Sequence, residues 1–308
     1  MLWDAANNSL TRRTAVIEYG HFVIVDVVLA AEARLAEGPL WDPKVNCLRW
    51  VDITAGLVHR FDPATGADTS FEVGEPVGTV AVRASGGLVL ATEKGISSCA
   101  DDGSDRVVLH EVDTDPPGGR FNDGKADPWG RFWAGTMLDG TDGAAGFYRL
   151  DADGSLHQVL TDVSCSNGLG WSPDGATMYY VDTRTGGVDA FDHDPETGSL
   201  SKRRRLVDIE RGWPDGLTVD VEGCVWVALW DGWGLRRYNP DGRLLETVEL
   251  PVRRVTSCAF GGPSLSTLYV TTARAGLSEE VLARQPEAGS LFAFEPAVGG
   301  LAPGEWAG

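Results

Sequence analysis

The chain has 308 residues, with 45 acidic against 26 basic side chains and a formal net charge of −19. That balance argues against nucleic acid or an anionic membrane surface as a partner, since both need basic surface. The five cysteines (Cys47, Cys99, Cys165, Cys224, Cys258) are odd in number, far apart and free of any CxxC spacing, which excludes a disulfide or zinc framework and suits small buried hydrophobes in a reducing compartment.

In chain order, residues 1–20 show no clear periodicity and are expected to form an N-terminal tail, with one domain over 21–308. The apolar run from Phe22 to Ala31 follows Arg12-Arg13 and contains Asp26. It is too short for a membrane span and lacks the layout of a signal peptide, so a cytoplasmic location is expected. Within it, Phe22–Leu29 is rich in β-branched residues and reads as a strand.

A repeat then begins. Each unit runs from a polar or Gly start through a short strand, a turn, a second strand ending near Asp or Thr, a turn and a third strand. The starts are Glu37-Gly38, Val77-Gly78, Asn122-Asp123, Asn167-Gly168, Asp215-Gly216 and Thr256-Ser257. They are spaced by roughly 40 to 48 residues, the length of a four-stranded propeller blade. Gly86-Gly87, Asp153-Gly154, Asp174-Gly175 and Asp241-Gly242 supply the positive φ that tight hairpins require. No long amphipathic helix interrupts the pattern. The expected fold is all-β, a six-bladed β-propeller. The sixth unit has only three strands of its own, so Phe22–Leu29 is expected to close the ring and cover its open edge.

In a propeller the innermost strand of every blade runs beside the axis, so equivalent positions converge at one mouth. Here they are Glu37, Gly78, Asn122, Asn167, Asp215 and Ser257. Two carboxylates and two carboxamides, without thiol or imidazole, are the donor chemistry of a hard divalent cation such as Ca²⁺, Mg²⁺ or Mn²⁺. Taken singly, an Asx-Gly or Glu-Gly pair is ordinary turn chemistry; four copies at one phase of a repeat point to a site. The Gly after most of these residues is expected to let the backbone turn sharply and to leave room at the axis. Arg120, two residues before Asn122, is placed to overhang the mouth and offer its fork of donors to a substrate oxygen; a pair with Asp123 or Asp127 is the structural alternative. No GxSxG, HExxH or dinucleotide fingerprint is present. The histidines (His21, His59, His110, His157, His193) are expected at the surface, and Lys202–Arg205 as a solvated strand edge.

Ala36-Glu37-Gly38-Pro39-Leu40-Trp41, Arg120-Phe121-Asn122-Asp123-Gly124-Lys125-Ala126-Asp127-Pro128, Ala134-Gly135-Thr136-Met137, Ser166-Asn167-Gly168-Leu169 and Pro214-Asp215-Gly216-Leu217 together resemble the SMP-30/gluconolactonase/regucalcin family over residues 30–296. The resemblance implies a six-bladed propeller and one divalent cation at Glu37, Asn167 and Asp215, with Ca²⁺ the first expectation and Zn²⁺, Mg²⁺ or Mn²⁺ as alternatives. It further implies substrate contacts at Arg120 and Asn122, and hydrolysis of a sugar lactone to its acid. Animal members carry a Glu a few residues past the Gly-Thr-Met; this chain has Leu138-Asp139-Gly140 there, which makes Asp139 the carboxylate expected to meet substrate. Asp215 is the expected general base towards water held and acidified at the cation. Two other readings fit the same scaffold: a non-catalytic regulator that binds Ca²⁺ or a sugar acid, and a related ester or organophosphate hydrolase.

Overall fold

A computed structural model describes residues 13–18, 21–114 and 116–308. They form six antiparallel sheets arranged as the blades of a propeller. Blade 1 holds the strands Ala36–Asp42, Cys47–Asp52, Leu57–Asp62 and Ala67–Glu72. The inner strands of the next five blades are Val77–Val82, Arg120–Ala126, Ser166–Trp171, Trp213–Val219 and Val255–Gly261. Each inner strand packs against its neighbours on both sides, and the sixth packs against the first, so the ring is closed. Burial decays outward: every residue of Ala36–Asp42 is buried, whereas Ala67–Glu72 has none buried. The second strands, such as Leu88–Thr92 and Val225–Trp230, are the apolar runs, and the outer strands read as polar, charge-bearing segments.

Blade 6 takes strands from both ends of the described chain. His21–Leu29 pairs with Leu291–Phe294, Asp26 lying opposite Ala293, as the closing strand expected from the sequence. The expected tail needs one correction. Arg13–Glu18 is a strand, paired antiparallel with His21–Leu29 from Arg13 opposite Asp26 to Glu18 opposite His21. Its β-branched Thr14, Val16 and Ile17 suit it to that place. Residues 1–12, 19 and 20 lie outside the described residues.

Past the last strand, a C-terminal segment straps the face opposite the site. The Trp306 indole is buried and donates to the Asp151 carbonyl at 3.2 Å, while its backbone N–H reaches Val82 at 2.9 Å. The segment roofs a pocket of about 230 Å³ walled by Trp41, Trp129, Trp171 and Phe260.

Buried aspartates bracket the first turn of several blades. The Asp220 carboxylate accepts from the backbone N–H groups of Glu222 (3.0 Å) and Cys224 (3.0 Å), from Trp226 Nε1 (3.0 Å) and from Arg237 Nε (2.8 Å). Asp127 repeats this with the N–H groups of Trp129 and Arg131, Trp133 Nε1 and the Arg131 guanidinium. Both carboxylates are inaccessible to solvent, and each is fully engaged, as a buried charge must be.

His193 departs from its expected surface position. It is buried beside the rings of Trp129, Trp133 and Trp171, and its Nδ1–H donates to the Gly175 carbonyl at 2.7 Å. Burial lowers its pKa, which keeps the ring neutral. Lys202–Arg205 is exposed on the outer strand of blade 4, as expected, where its side chains meet Asp189 and Asp192. The cysteines are all free, and Cys47, Cys99, Cys224 and Cys258 are buried.

Candidate metal centre

Each of the six inner strands slips register against its second strand at one phase. The slips fall between Glu37 and Leu40, Val77 and Thr79, Phe121 and Asp123, Ser166 and Leu169, Pro214 and Leu217, and Val255 and Ser257. A bulge takes a residue out of strict alternation and re-aims its side chain. Gly78, Asn122, Asn167 and Asp215 lie inside the slips and Glu37 at the edge of one. In blade 6 the bulged residue is Thr256 rather than the expected Ser257. The Thr256 hydroxyl turns into the barrier between blades, donating to the Ala36 carbonyl at 2.6 Å beside Thr271 Oγ1. Ser257 instead lines a cavity of about 10 Å³, together with Asp123 and Lys125.

The glycines after the ring residues have two distinct duties. Gly38 has a φ of +52° and makes the sharp turn expected of it. Gly168 and Gly216 do not; a Cβ on Gly168 would stand 2.3 Å from the Leu217 nitrogen, and one on Gly216 2.0 Å from Ser257 Oγ. There the missing side chain lets neighbouring inner strands approach closely.

Two second-strand aspartates fix the entry of the inner strands that carry Glu37 and Asn167. Asp52 accepts from the N–H groups of Arg34 (2.8 Å) and Leu35 (3.1 Å), just ahead of Glu37. Asp182 accepts from Ser164 (3.0 Å) and Cys165 (2.9 Å), just ahead of Asn167. The recurring Asp at the end of the second strand is thus a backbone clamp.

Glu37, Asn167 and Asp215 are 3%, 4% and 4% exposed, so the expected ligands are desolvated although they stand at a mouth. Burial raises the Glu37 pKa well above its ordinary value, and the nearby charges of Asp215 and Asp123 raise it further. Asp215 is raised in the same way by burial and then by Asp123, against the pull of the Gly216 N–H, the Asn167 side chain and Arg120. The Asn167 Nδ2 donates to Thr183 Oγ1 at 2.9 Å, while its Oδ1 is buried with no partner among the described residues. Two like charges out of water beside an unused carbonyl oxygen fit a hard divalent cation. Among the described residues no three His, Cys, Asp or Glu side chains stand together for a metal; a cation here would need the amide oxygen as its third donor.

Arg120 NH1 donates to Asn122 Oδ1 at 2.6 Å and to the Phe121 carbonyl at 2.9 Å. Its structural alternative does not arise: Asp127 is held by Arg131 and Trp133, and the carboxylates that act most strongly on Arg120 are Asp139, Glu37 and Asp215. Asn122 Nδ2 donates to the Ser166 carbonyl at 2.8 Å, so both ends of this amide are engaged and Asn122 aims Arg120. Asp139 sits exposed on the turn after Phe132–Met137, within electrostatic reach of Arg120.

Three neighbours were not singled out from sequence. Asp123 is buried near Glu37 and Asp215 with a raised pKa, burial being the first cause and Lys125 opposing it. Lys125 Nζ reaches across from blade 3 to the Leu217 carbonyl of blade 5 at 3.0 Å. Cys165 lies 4.0 Å from both Asn122 Nδ2 and Asn167 Nδ2, its thiol pushed up to about 12 by burial and by Asp215. The signal for Asp123 was in plain view, since it is a third acidic residue adjoining the ring.

The raised carboxyl pKa values set a pH dependence. With no cation bound, folded Glu37 and Asp215 retain protons that the unfolded chain has already released above the ordinary carboxylate range. Raising the pH from that range through the elevated values therefore removes stability from the metal-free protein. Ca²⁺ competes with those protons, so it is expected to raise the melting temperature more at pH 8 than at pH 5. Equal shifts at the two pH values, read by differential scanning fluorimetry, would show that these carboxylates do not bind the ion.

Residues 35–274 match the family model described as the SMP-30/Gluconolactonase/LRE-like region. A regucalcin of Homo sapiens is 42% identical over 296 residues, covering 92% of this chain and 98% of its own. Among solved structures, a calcium-binding protein, regucalcin, from Agrobacterium tumefaciens superposes with a TM-score of 0.87 at 29% identity, over 91% of this chain and 96% of that one. A luciferin-regenerating enzyme gives a TM-score of 0.86 at 31% identity, over 92% and 99%. The motif-bearing inner strands at Glu37, Asn122, Asn167 and Asp215 all fall inside the matched region, and the chain belongs to the SMP-30/gluconolactonase/LRE-like family.

Proposed function

We propose that this protein is a divalent-metal-dependent hydrolase of a sugar lactone. The observation that carries this reading is the pairing of two buried, mutually repelling carboxylates with the partnerless Asn167 oxygen, beneath an arginine held ready at the same mouth. Glu37, Asn167 and Asp215 would hold the cation, with Ca²⁺ the first choice for an all-oxygen donor set. When bound, the ion supplies Lewis acidity to a carbonyl oxygen and lowers the pKa of water at the site.

The chain's own groups do the rest. Asp215 would accept a proton from the attacking water through a carboxylate oxygen that the cation leaves free. Arg120 presents the guanidinium edge that Asn122 leaves free, where charge develops on the former carbonyl oxygen. Asn122 Oδ1, bonded only to Arg120, can accept a further bond from a sugar hydroxyl, and Asp139 offers a second acceptor from the rim. A site that only sequestered a cation would have no use for Arg120 at this place.

The test is proton release from a panel of aldonolactones, before and after chelation and after Ca²⁺, Zn²⁺, Mg²⁺ or Mn²⁺ is restored. Turnover that disappears with the chelator and returns with a metal is expected. Folded protein that takes up Ca²⁺ yet opens no lactone would favour the binding-regulator reading. Preferential cleavage of aryl esters or organophosphates would move the activity to that class.

A further inference from the structure

Asn167 can serve a cation only if its carboxamide is turned the right way, and the structure contains a group that decides this. Thr183 opens the short turn Thr183–Thr185, directly after the second strand of blade 4. Its hydroxyl donates to the Pro214 carbonyl at 2.8 Å. A carbonyl has no proton to give, so the one hydroxyl proton is committed and Oγ1 is left as an acceptor. An acceptor can face only the amino end of an amide. The 2.9 Å contact with Asn167 therefore involves Nδ2, and Oδ1 is turned away from Thr183 into its partnerless state. The Asp215 carboxylate also draws the amino group, but it is a group the cation would engage, whereas Thr183 is not; the Cys165 sulfur at 4.0 Å is too weak an acceptor to impose the choice.

The same hydroxyl acts across the blade boundary. Pro214 is the residue before Asp215, and its carbonyl belongs to the peptide unit that leads into the Asp215 Cα. One side chain in blade 4 thus orients the donor atom of Asn167 and anchors the backbone that carries Asp215 in blade 5. We propose that Thr183 is the positioning residue of the cation site, setting two of its three donors without touching the ion. This rests on the metal reading given above.

Thr183→Val keeps the shape and removes the hydroxyl, so the Asn167 amino group loses the acceptor that a bound cation would leave in place, and the amide can turn N–H groups towards the ion. Ca²⁺ binding followed by calorimetry is expected to weaken by about 10- to 100-fold, the usual range for losing a group that orients a ligand. Thr183→Ser keeps the hydroxyl and should bind close to the parent. Thr183→Ala answers the same question if valine disturbs the turn. Thermal unfolding of each metal-free variant separates binding from folding. A hydroxyl-free variant that melts lower yet binds Ca²⁺ as tightly as the parent would overturn the proposal, as would equal weakening in the serine variant. A parent protein that takes up no Ca²⁺ or Zn²⁺ would instead sink the metal reading, and this proposal with it.

Discussion

Asp215→Asn is expected to lower lactone turnover by about 10³-fold or more while raising the melting temperature of the metal-free protein at neutral pH. On the proposed mechanism the change removes both an anionic ligand and the proton acceptor; general-base contributions alone are about 10²- to 10⁴-fold. The stability rises because Asp215 is buried beside Glu37 and Asp123, and each is disfavoured by its neighbours' charge. Asparagine has the same outline, can still accept from the Gly216 N–H, and ends that repulsion. In a domain of this size each 1 kcal/mol gained is worth roughly 2–4 °C. A site that is unstable without its ligand is the usual signature of function held against stability. Retained turnover would remove Asp215 from the chemistry. Lost turnover with a lowered melting temperature would mean that the carboxylate serves the fold.

Asp220→Ala is expected to destabilise the protein by about 3–5 kcal/mol, the range for breaking a buried ion pair by removing one partner. Four donors lose their acceptor together: two backbone N–H groups, the Trp226 indole and the Arg237 guanidinium. The guanidinium keeps its second partner, Glu222, which is largely exposed. Urea unfolding measures the loss, and the residual folded protein should turn over lactone at the parent rate per molecule. A change under about 1 kcal/mol would show that water replaces the carboxylate and that the bracket does not lock the blade.

The six-blade ring and its closing strand were legible because six copies agree in phase, and the periodic signal in Glu37-Gly38, Asn167-Gly168 and Asp215-Gly216 survives differences in local composition. The same phasing separated Asn167 from Asp174. Asp174 sits at a hairpin, where its carboxylate accepts from the Ala176 N–H and the Ser172 hydroxyl, and it has only turn chemistry. What stayed hidden depends on geometry that a one-residue slip decides. The bulge moved blade 6's ring position from Ser257 to Thr256. The Asp–Trp brackets lie six residues apart in Asp127/Trp133 and Asp220/Trp226, a spacing that means nothing until a hairpin folds the indole back over the carboxylate. Thr183 carries no motif at all; its place follows from two hydrogen bonds made to different blades. His193 was expected at the surface, but Trp133 and Trp171 from strands of two neighbouring blades and Trp129 from a turn enclose it.

The composite sixth blade bears on how a nascent chain reaches activity. Its strands come from residues 13–29 and 255–294, so the sheet cannot be completed until nearly the whole described length has left the ribosome. Earlier blades can pair their own neighbouring strands as they emerge, since those contacts are local. Until then His21–Leu29 presents the edge that Leu291–Phe294 will fill, and such an edge invites pairing with other chains. Glu37 comes from the first blade, Asn167 from the fourth and Asp215 from the fifth. Their convergence awaits the same closing event, so on the proposed metal reading cation binding would report finished assembly rather than any single blade.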